Sequence, residues 1–209
     1  MKKEDTKTGL NEIRAKMSLH SPGTLEILRD YAVLILLTEK EDGLHFVFEK
    51  RAEGIRQPGD VCFPGGRMEP GESVRECALR ETAEEIGIEN IEILGEYATQ
   101  YELTSIAMHS IVGFTDESEL SKIRINEAEV AEVFTVPVSF FAENEAYIYE
   151  YDVIQDVKDF PYEELGIRSD YRWRTGHKSI SVYHYEDKII WGLTAAFVKK
   201  FTAEMTKQQ

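Results

Sequence analysis

The rhythm of apolar positions changes near residue 31. Before it the chain is polar, with Leu10, Ile13 and Met17 at helical spacing. Residues 1–30 read as an N-terminal arm that packs on the domain or on a partner subunit. Tyr31 to Leu37 (YAVLILL) is an unbroken apolar run of strand length, the pattern of a strand buried on both faces. Asp42-Gly43 signals a turn, and His45 to Lys50 then alternates, with Phe46 and Phe48 on one side, as a second strand does. A loop rich in glycine and proline leads to Ser73, which with Glu76 forms a capping box. Gly87 is placed to stop the helix that begins there. Ile91 to Tyr101, Ile106 to Phe114 and Val133 to Val136 read as strands. Ser179 to Tyr185 and Ile189 to Trp191 read as a hairpin around Glu186-Asp187. Leu193, Phe197, Phe201 and Met205, four apart, predict a closing helix.

The acidic, aromatic stretch from Glu143 to Asp170 fits neither period. With no repeat and no linker, the expectation is one α+β domain over residues 31–209, carrying an unassigned insert at about 143–177.

Charge narrows the partners. The 209 residues carry a net charge of −15, which disfavours sequence-independent nucleic-acid binding and docking on anionic lipid. An acidic protein can still take an anionic small molecule where cations or local arginines offset the repulsion. Cys62 and Cys77 sit among small or apolar neighbours and read as buried, reduced thiols. No signal peptide and no apolar run of membrane length is visible, so the expectation is a soluble cytoplasmic protein without membrane or nucleic-acid partners.

Candidate chemistry concentrates in Gly65 to Ile88 (GGRMEPGESVRECALRETAEEIGI). On a helix from Ser73 to Gly87, Glu81, Glu84 and Glu85 stand at i, i+3 and i+4 and share a face. Leu79, Thr82 and Ile86 point away, toward a sheet. Three crowded carboxylates repel one another, and hard divalent cations with oxygen ligands relieve that repulsion. Gly65 and Gly66 let backbone approach closely, so a carbonyl there is a further candidate ligand. Arg80, four residues before Glu84, can orient it. A glutamate-rich face taken alone is an ordinary solvated face; the wider spacing is what separates the readings.

Gly66, five residues, Glu72, seven residues, Arg80-Glu81, two residues, Glu84-Glu85, one residue, Gly87 and Ile88 resembles the Nudix box. Thr82 departs from it, standing where the pattern prefers a bulky aliphatic residue. The resemblance implies a Nudix-type α/β/α sandwich around a central mixed sheet, with a loop-helix-loop motif for catalysis. It implies that Glu81, Glu84 and Glu85, with Gly66, hold Mg2+ or Mn2+, and that Glu72 and Arg80 assist. Glu81, Glu85, Glu72 and Arg80 are thus the expected catalytic group. The base is left open among Glu81, Glu85 and a later glutamate such as Glu127 or Glu129. Glu85→Gln is expected to abolish turnover with little loss of stability, the side chain being placed on an exposed face.

Upstream, Arg51, Arg56, Gly59 and Phe63-Pro64-Gly65-Gly66 resemble the signature that precedes the box in coenzyme A diphosphatases, and Tyr183 to Ala195, ending Ile-Trp-Gly-Leu-Thr-Ala, resembles another stretch of that group. Ala52 replaces a serine, the gap from Arg56 to Gly59 is one residue short, and Val47-Phe48-Glu49 replaces Leu-Leu-Thr. Arg51 and Arg56 are candidates to clamp phosphates, or else surface arginines ending an edge strand. Phe63 and Trp191 are expected in the core, and His109 as a satisfied, half-buried histidine. Tyr171 to Arg174 could reach a nucleotide or make a dimer contact.

The expected reaction is hydrolysis of a coenzyme A-like diphosphate to 3′-phospho-AMP and 4′-phosphopantetheine. The alternatives are hydrolysis of ADP-ribose or another nucleoside diphosphate derivative, a non-catalytic nucleotide sensor with a Nudix fold, and an acidic interaction protein. A homodimer is compatible with the arm and the insert.

Overall fold

The structure, a computed structural model, describes residues 10–20, 29–103 and 105–205. Helix α1 (Leu10–Ser18) has no buried residue. Leu10, Ile13 and Met17 all face outward, so of the two expected placements this stretch does not take the one on the domain, and the one on a partner subunit is a proposal. The rest of the arm lies outside the described residues.

Strands β1 (Arg29–Lys40) and β2 (Gly43–Arg51) form an antiparallel hairpin in which Leu36 faces Val47. Strand β3 (Val61–Cys62) pairs with the end of β2, and β4 (Gly65–Arg67) with the start of β1. Helix α2 (Val74–Ile86), β5 (Glu92–Glu102) and β6 (Ile106–Phe114) follow, and β6 runs parallel to β1. After the short helix α3 (Glu117–Leu120), β7 (Val130–Pro137) returns antiparallel to β2 and leads into α4 (Val138–Glu143). The order is β3-β2-β1-β6-β5, with β4 beside β1 and β7 beside β2. This is a mixed sheet.

Strand β1 is central because its run is apolar on both faces. Ala32, Leu34 and Leu36 pack with Cys77, Ala78 and Ile86 of α2. Ile35 and Leu37 pack on the other side with Phe46, Phe48, Phe63 and Phe141, and with Phe197 and Phe201 of α5 (Gly192–Met205). Helices therefore cover both faces, and the expected α/β/α sandwich is the observed fold. The apolar side chains of each layer lose contact with water together, the dominant favourable contribution to folding.

A second sheet, β10-β9-β8, is built from β8 (Tyr147–Val153), β9 (Gly176–Tyr185) and β10 (Lys188–Trp191). The hairpin around Glu186-Asp187 is as expected, with Glu186 in the left-handed region at φ 52°. The unassigned stretch supplies β8, which pairs with β9 from Tyr147 opposite Val182 to Val153 opposite Gly176. Nothing from Tyr147 to Asp152 is buried, so no face had to be apolar. Among the described residues no helix is long and apolar enough to cross a membrane.

Candidate active site

The start of α2 is set locally. Ser73 accepts from the Glu76 N–H while the Glu76 carboxylate accepts from the Ser73 N–H, and Gly87 ends the helix at φ 73°. The helix lays Ala78, Thr82 and Glu85 against the sheet. Thr82 is fully buried, and its hydroxyl is satisfied by donating to the Ala78 carbonyl at 2.7 Å. A threonine fits this tight helix–sheet contact without an unpaired polar atom.

The three glutamates do not share one exposed face. Glu84 is exposed, Glu81 is partly covered, and Glu85 is only 4% exposed. Glu85 lies with Ala78 and Thr82, at i, i+4 and i+7, so it points into the sheet side. Leu79, expected there, is only half-buried. The Glu85 Oε2 accepts from the Gly65 N–H at 2.8 Å. Gly66 meets Glu81: a Cβ on Gly66 would stand 2.2 Å from the Glu81 Cδ. The Gly65-Gly66 backbone thus touches both carboxylates because neither glycine has a side chain.

Arg80 gathers the remaining acids. Its Nε and Nη2 fork onto Glu72 at 2.8 and 3.0 Å, and its Nη1 donates to Glu81 at 2.9 Å and Glu84 at 3.1 Å. The Glu84 contact was expected; those to Glu72 and Glu81 were not. The Arg80 guanidinium and the Glu69 N–H hold the Glu72 carboxyl down at about 2. Such charge-assisted, forked contacts are the strong hydrogen bonds of proteins.

Two further carboxylates complete the neighbourhood. Glu49 follows Val47 on the α2-facing side of β2 and is 1% exposed. The Cys62 thiol donates to its Oε1 at 3.3 Å, while its Oε2 has no hydrogen-bond partner. Glu129 arrives on the loop before β7. That loop is held by the Asn126 N–H on the Glu85 carbonyl at 2.8 Å and the Ala52 N–H on the Glu129 carbonyl at 2.8 Å. Burial raises the proton affinity of Glu85, and the Glu49, Glu81 and Glu129 charges raise it further. Burial likewise raises that of Glu49, with Glu129 and Glu81 adding to it while the Cys62 thiol and Arg51 oppose. Glu81 is raised mainly by burial, against the Arg80 contact. Of the two later glutamates named from the sequence, Glu129 acts on all three of these groups.

Glu49 was missed because a lone glutamate in an alternating strand reads as a solvent-side residue. The available signal was its parity with Val47. Among the described residues no three acidic, histidine or cysteine side chains already close on one point; like charges stand apart and lean on Arg80 and the Gly65 N–H instead. The donors are nonetheless all carboxylate or carbonyl oxygen, as hard divalent cations require.

Arg51, on the Glu49 face of β2, donates from its Nε to the Arg56 carbonyl at 3.0 Å. Strand β2 is interior to the sheet, so neither arginine ends an edge strand. Arg56 is exposed. Phe63 is core, stacked on Phe48 with ring centres 4.7 Å apart. Trp191 is not core: it is 41% exposed, and its indole N–H donates to Asp60 at 3.3 Å. His109 is satisfied as expected, between Thr99 and Asp30, each at 2.9 Å. Cys77 is buried but Cys62 only half-buried, and both are free thiols. Tyr171 and Trp173 pack together 5.2 Å apart, and Trp173 donates to the Tyr162 hydroxyl at 2.8 Å. That cluster closes on its own segment.

A capped helix projecting glutamates at a paired-glycine turn, on a mixed sheet covered on both faces, defines one class of protein. The NUDIX domain family matches residues 28–157, more than half of the chain, and the chain belongs to the Nudix family. Nudix hydrolase 3 of Caenorhabditis elegans is 41% identical over 112 residues, covering 51% of this chain and 47% of that protein. The peroxisomal coenzyme A diphosphatase NUDT7 of Mus musculus is 31% identical over 134 residues, covering 62% and 56%. The chain spans about half the length of these two relatives. The uncharacterized Nudix hydrolase NudL of Pectobacterium atrosepticum is 26% identical over 207 residues, covering 96% of this chain and 97% of that protein.

Proposed function

We propose that the chain is a metal-dependent hydrolase of the diphosphate in a nucleotide-derived small molecule, and that this molecule is coenzyme A or a derivative. The observation that carries the reading is the convergence of Glu81 and Glu85 on the Gly65-Gly66 backbone, with Glu72 and Glu84 held beside them by Arg80. Glu81, Glu84 and Glu85, with the Gly66 carbonyl, are the groups that would hold Mg2+ or Mn2+. Bound there, the cation supplies charge neutralisation for the diphosphate and acidifies the attacking water. Glu81, Glu85 or Glu129 accepts the proton of that water. Arg80 fixes the carboxylates in register. Arg51 and Arg56, linked through one hydrogen bond, meet phosphate oxygens by forked contacts.

The coenzyme A reading is supported by the Phe63-to-Gly66 approach, the Trp191-to-Ala195 stretch and the likeness to the coenzyme A diphosphatase NUDT7. Its products are 3′-phospho-AMP and 4′-phosphopantetheine. The departures of the arginine signature, Ala52 in place of a serine and the short gap from Arg56 to Gly59, are the ground for a second reading in which ADP-ribose or a related diphosphate is preferred. A homodimer through the arm or residues 143–177 belongs to the same proposal, and sedimentation at micromolar concentration tests it.

The test of function is a panel of coenzyme A, an acyl-coenzyme A, ADP-ribose, NADH and a diadenosine polyphosphate, with Mg2+ or Mn2+ and products read by mass. Preferential release of the two named products supports the coenzyme A reading. Preference for ADP-ribose replaces the substrate but keeps the chemistry. No cleavage of any of them favours a ligand sensor.

A further inference from the structure

We propose that Glu49 is a member of the cation-binding set, contributing from the sheet a carboxylate that faces the helix glutamates across the site. The inference rests on the hydrolase reading above and adds to it a residue outside the Nudix box. Three observations carry it. Glu49 is 1% exposed, yet its Oε2 has no hydrogen-bond partner. Burying a carboxylate oxygen without a partner is costly and needs a reason to be there. Its position on β2 has the parity of Val47, which packs against α2. It therefore points to the layer between sheet and helix that Glu85 also enters. Its surroundings supply one weak donor, the Cys62 thiol on Oε1, and Arg51 as the opposing charge, against Glu85, Glu81 and Glu129.

Around Glu49 the carboxylates Glu85, Glu81 and Glu129 outnumber the one opposing cation, Arg51. A divalent cation satisfies the free Oε2 and relieves the repulsion between Glu49 and Glu85 in one step. The thiol holds Oε1 and leaves Oε2 free, the arrangement by which an outer partner fixes a ligand side chain.

The experiment is a Mn2+ titration by calorimetry and by thermal shift on the full chain, wild type against Glu49→Gln, Glu49→Thr and Glu85→Gln. The expected result is Mn2+ affinity at least about tenfold weaker in both Glu49 variants. In chelator their melting temperatures should be equal to or above that of the wild type, because an uncompensated buried charge is gone. Wild-type affinity in Glu49→Gln overturns the proposal. So does failure of both variants to fold, which makes Glu49 a structural residue. Loss of Mn2+ binding in Glu85→Gln but not in the Glu49 variants sinks the role of Glu49 and leaves the hydrolase reading standing. Absence of Mn2+ binding and of diphosphate cleavage in the wild type overturns both.

Discussion

At the scale of single residues the site is a contest between burial and charge. Glu85 is buried beside Glu49, so folding without a cation favours its protonated form. A carboxyl whose proton affinity is raised by folding stabilises the fold fully below its unfolded value, and that stabilisation is lost as pH rises through the raised folded value. The chelated protein should therefore melt at a higher temperature near pH 6 than near pH 8. Saturating Mn2+ should reverse the slope, because ligands must lose protons to bind it. Glu85→Gln, which can still accept from the Gly65 N–H, should flatten the chelated slope and cut turnover at least about a hundredfold. Differential scanning calorimetry across that range decides the matter. A wild-type slope of the opposite sign would show that neither Glu85 nor Glu49 is strained by its burial. The sequence placed Glu85 on an exposed face, and its burial changes the expected stability effect of this variant from neutral to favourable.

Arg80 acts by a different route. Glu72, Glu81 and Glu84 all accept from it, and Glu72 is held at about 2. The lowered Glu72 carboxyl contributes stability that is present above its ordinary value and lost as pH falls toward about 2. Arg80→Gln should remove that acid-limb dependence. It should also lower kcat/KM by about ten- to a hundredfold, as loss of a ligand-orienting partner does. Arg80→Lys, a point charge without the fork, should recover only part of the loss. Equal loss in the two variants in steady-state kinetics would mean that the forked geometry is everything, and full recovery in Arg80→Lys that charge alone matters.

At the scale of elements, the paired glycines separate folding from chemistry. A Cβ on Gly65 would lie 2.3 Å from the Ala32 carbonyl oxygen and 2.6 Å from the Val33 Cα, at φ +153°. Backbone cannot yield cheaply there, so Gly65→Ala should cost about 3 kcal/mol or more in urea unfolding. A Cβ on Gly66 meets the Glu81 carboxylate, the far end of a flexible side chain. Gly66→Ala should therefore move stability by less than about 1 kcal/mol, while displacing Glu81 and costing about a hundredfold in turnover.

Strands β1, β2 and β6, the capped helix α2 and the β9–β10 hairpin were legible because burial on one or both faces, or a cap, imposed a pattern on the residues, and β5 because one of its faces is half-covered. Strand β8 was not, since a strand with nothing buried from Tyr147 to Asp152 leaves its tyrosines and acids free to alternate without an apolar face. Trp191, expected in the core, is not there because β10 alternates: Ile190 is buried while Ile189 and Trp191 face outward. The box glutamates were legible as a set. Their division between solvent, Arg80 and the sheet was not, because it depends on which helix face meets β1 and β2.

At the scale of the whole molecule, the proposed substrate is a polyanion and the chain carries a net charge of −15. On the proposed reading the field repels that substrate far from the site, while near it Arg51, Arg56 and a bound cation would attract it. The two ranges respond differently to salt. Screening shortens from about 30 Å at 0.01 M to about 10 Å at 0.1 M ionic strength, which removes the long-range repulsion before it weakens contacts at the phosphates. With Mn2+ saturating, kcat/KM for coenzyme A should therefore rise severalfold over that interval, with kcat nearly constant, because encounter rather than chemistry is affected. Arg51→Ala should raise KM at every salt concentration and leave the upward slope intact, since it removes a contact and deepens the net negative field. A kcat/KM that instead falls steadily with added salt would mean that the arginines and the cation already dominate the approach. The substrate would then be steered by a local positive funnel that the overall charge conceals.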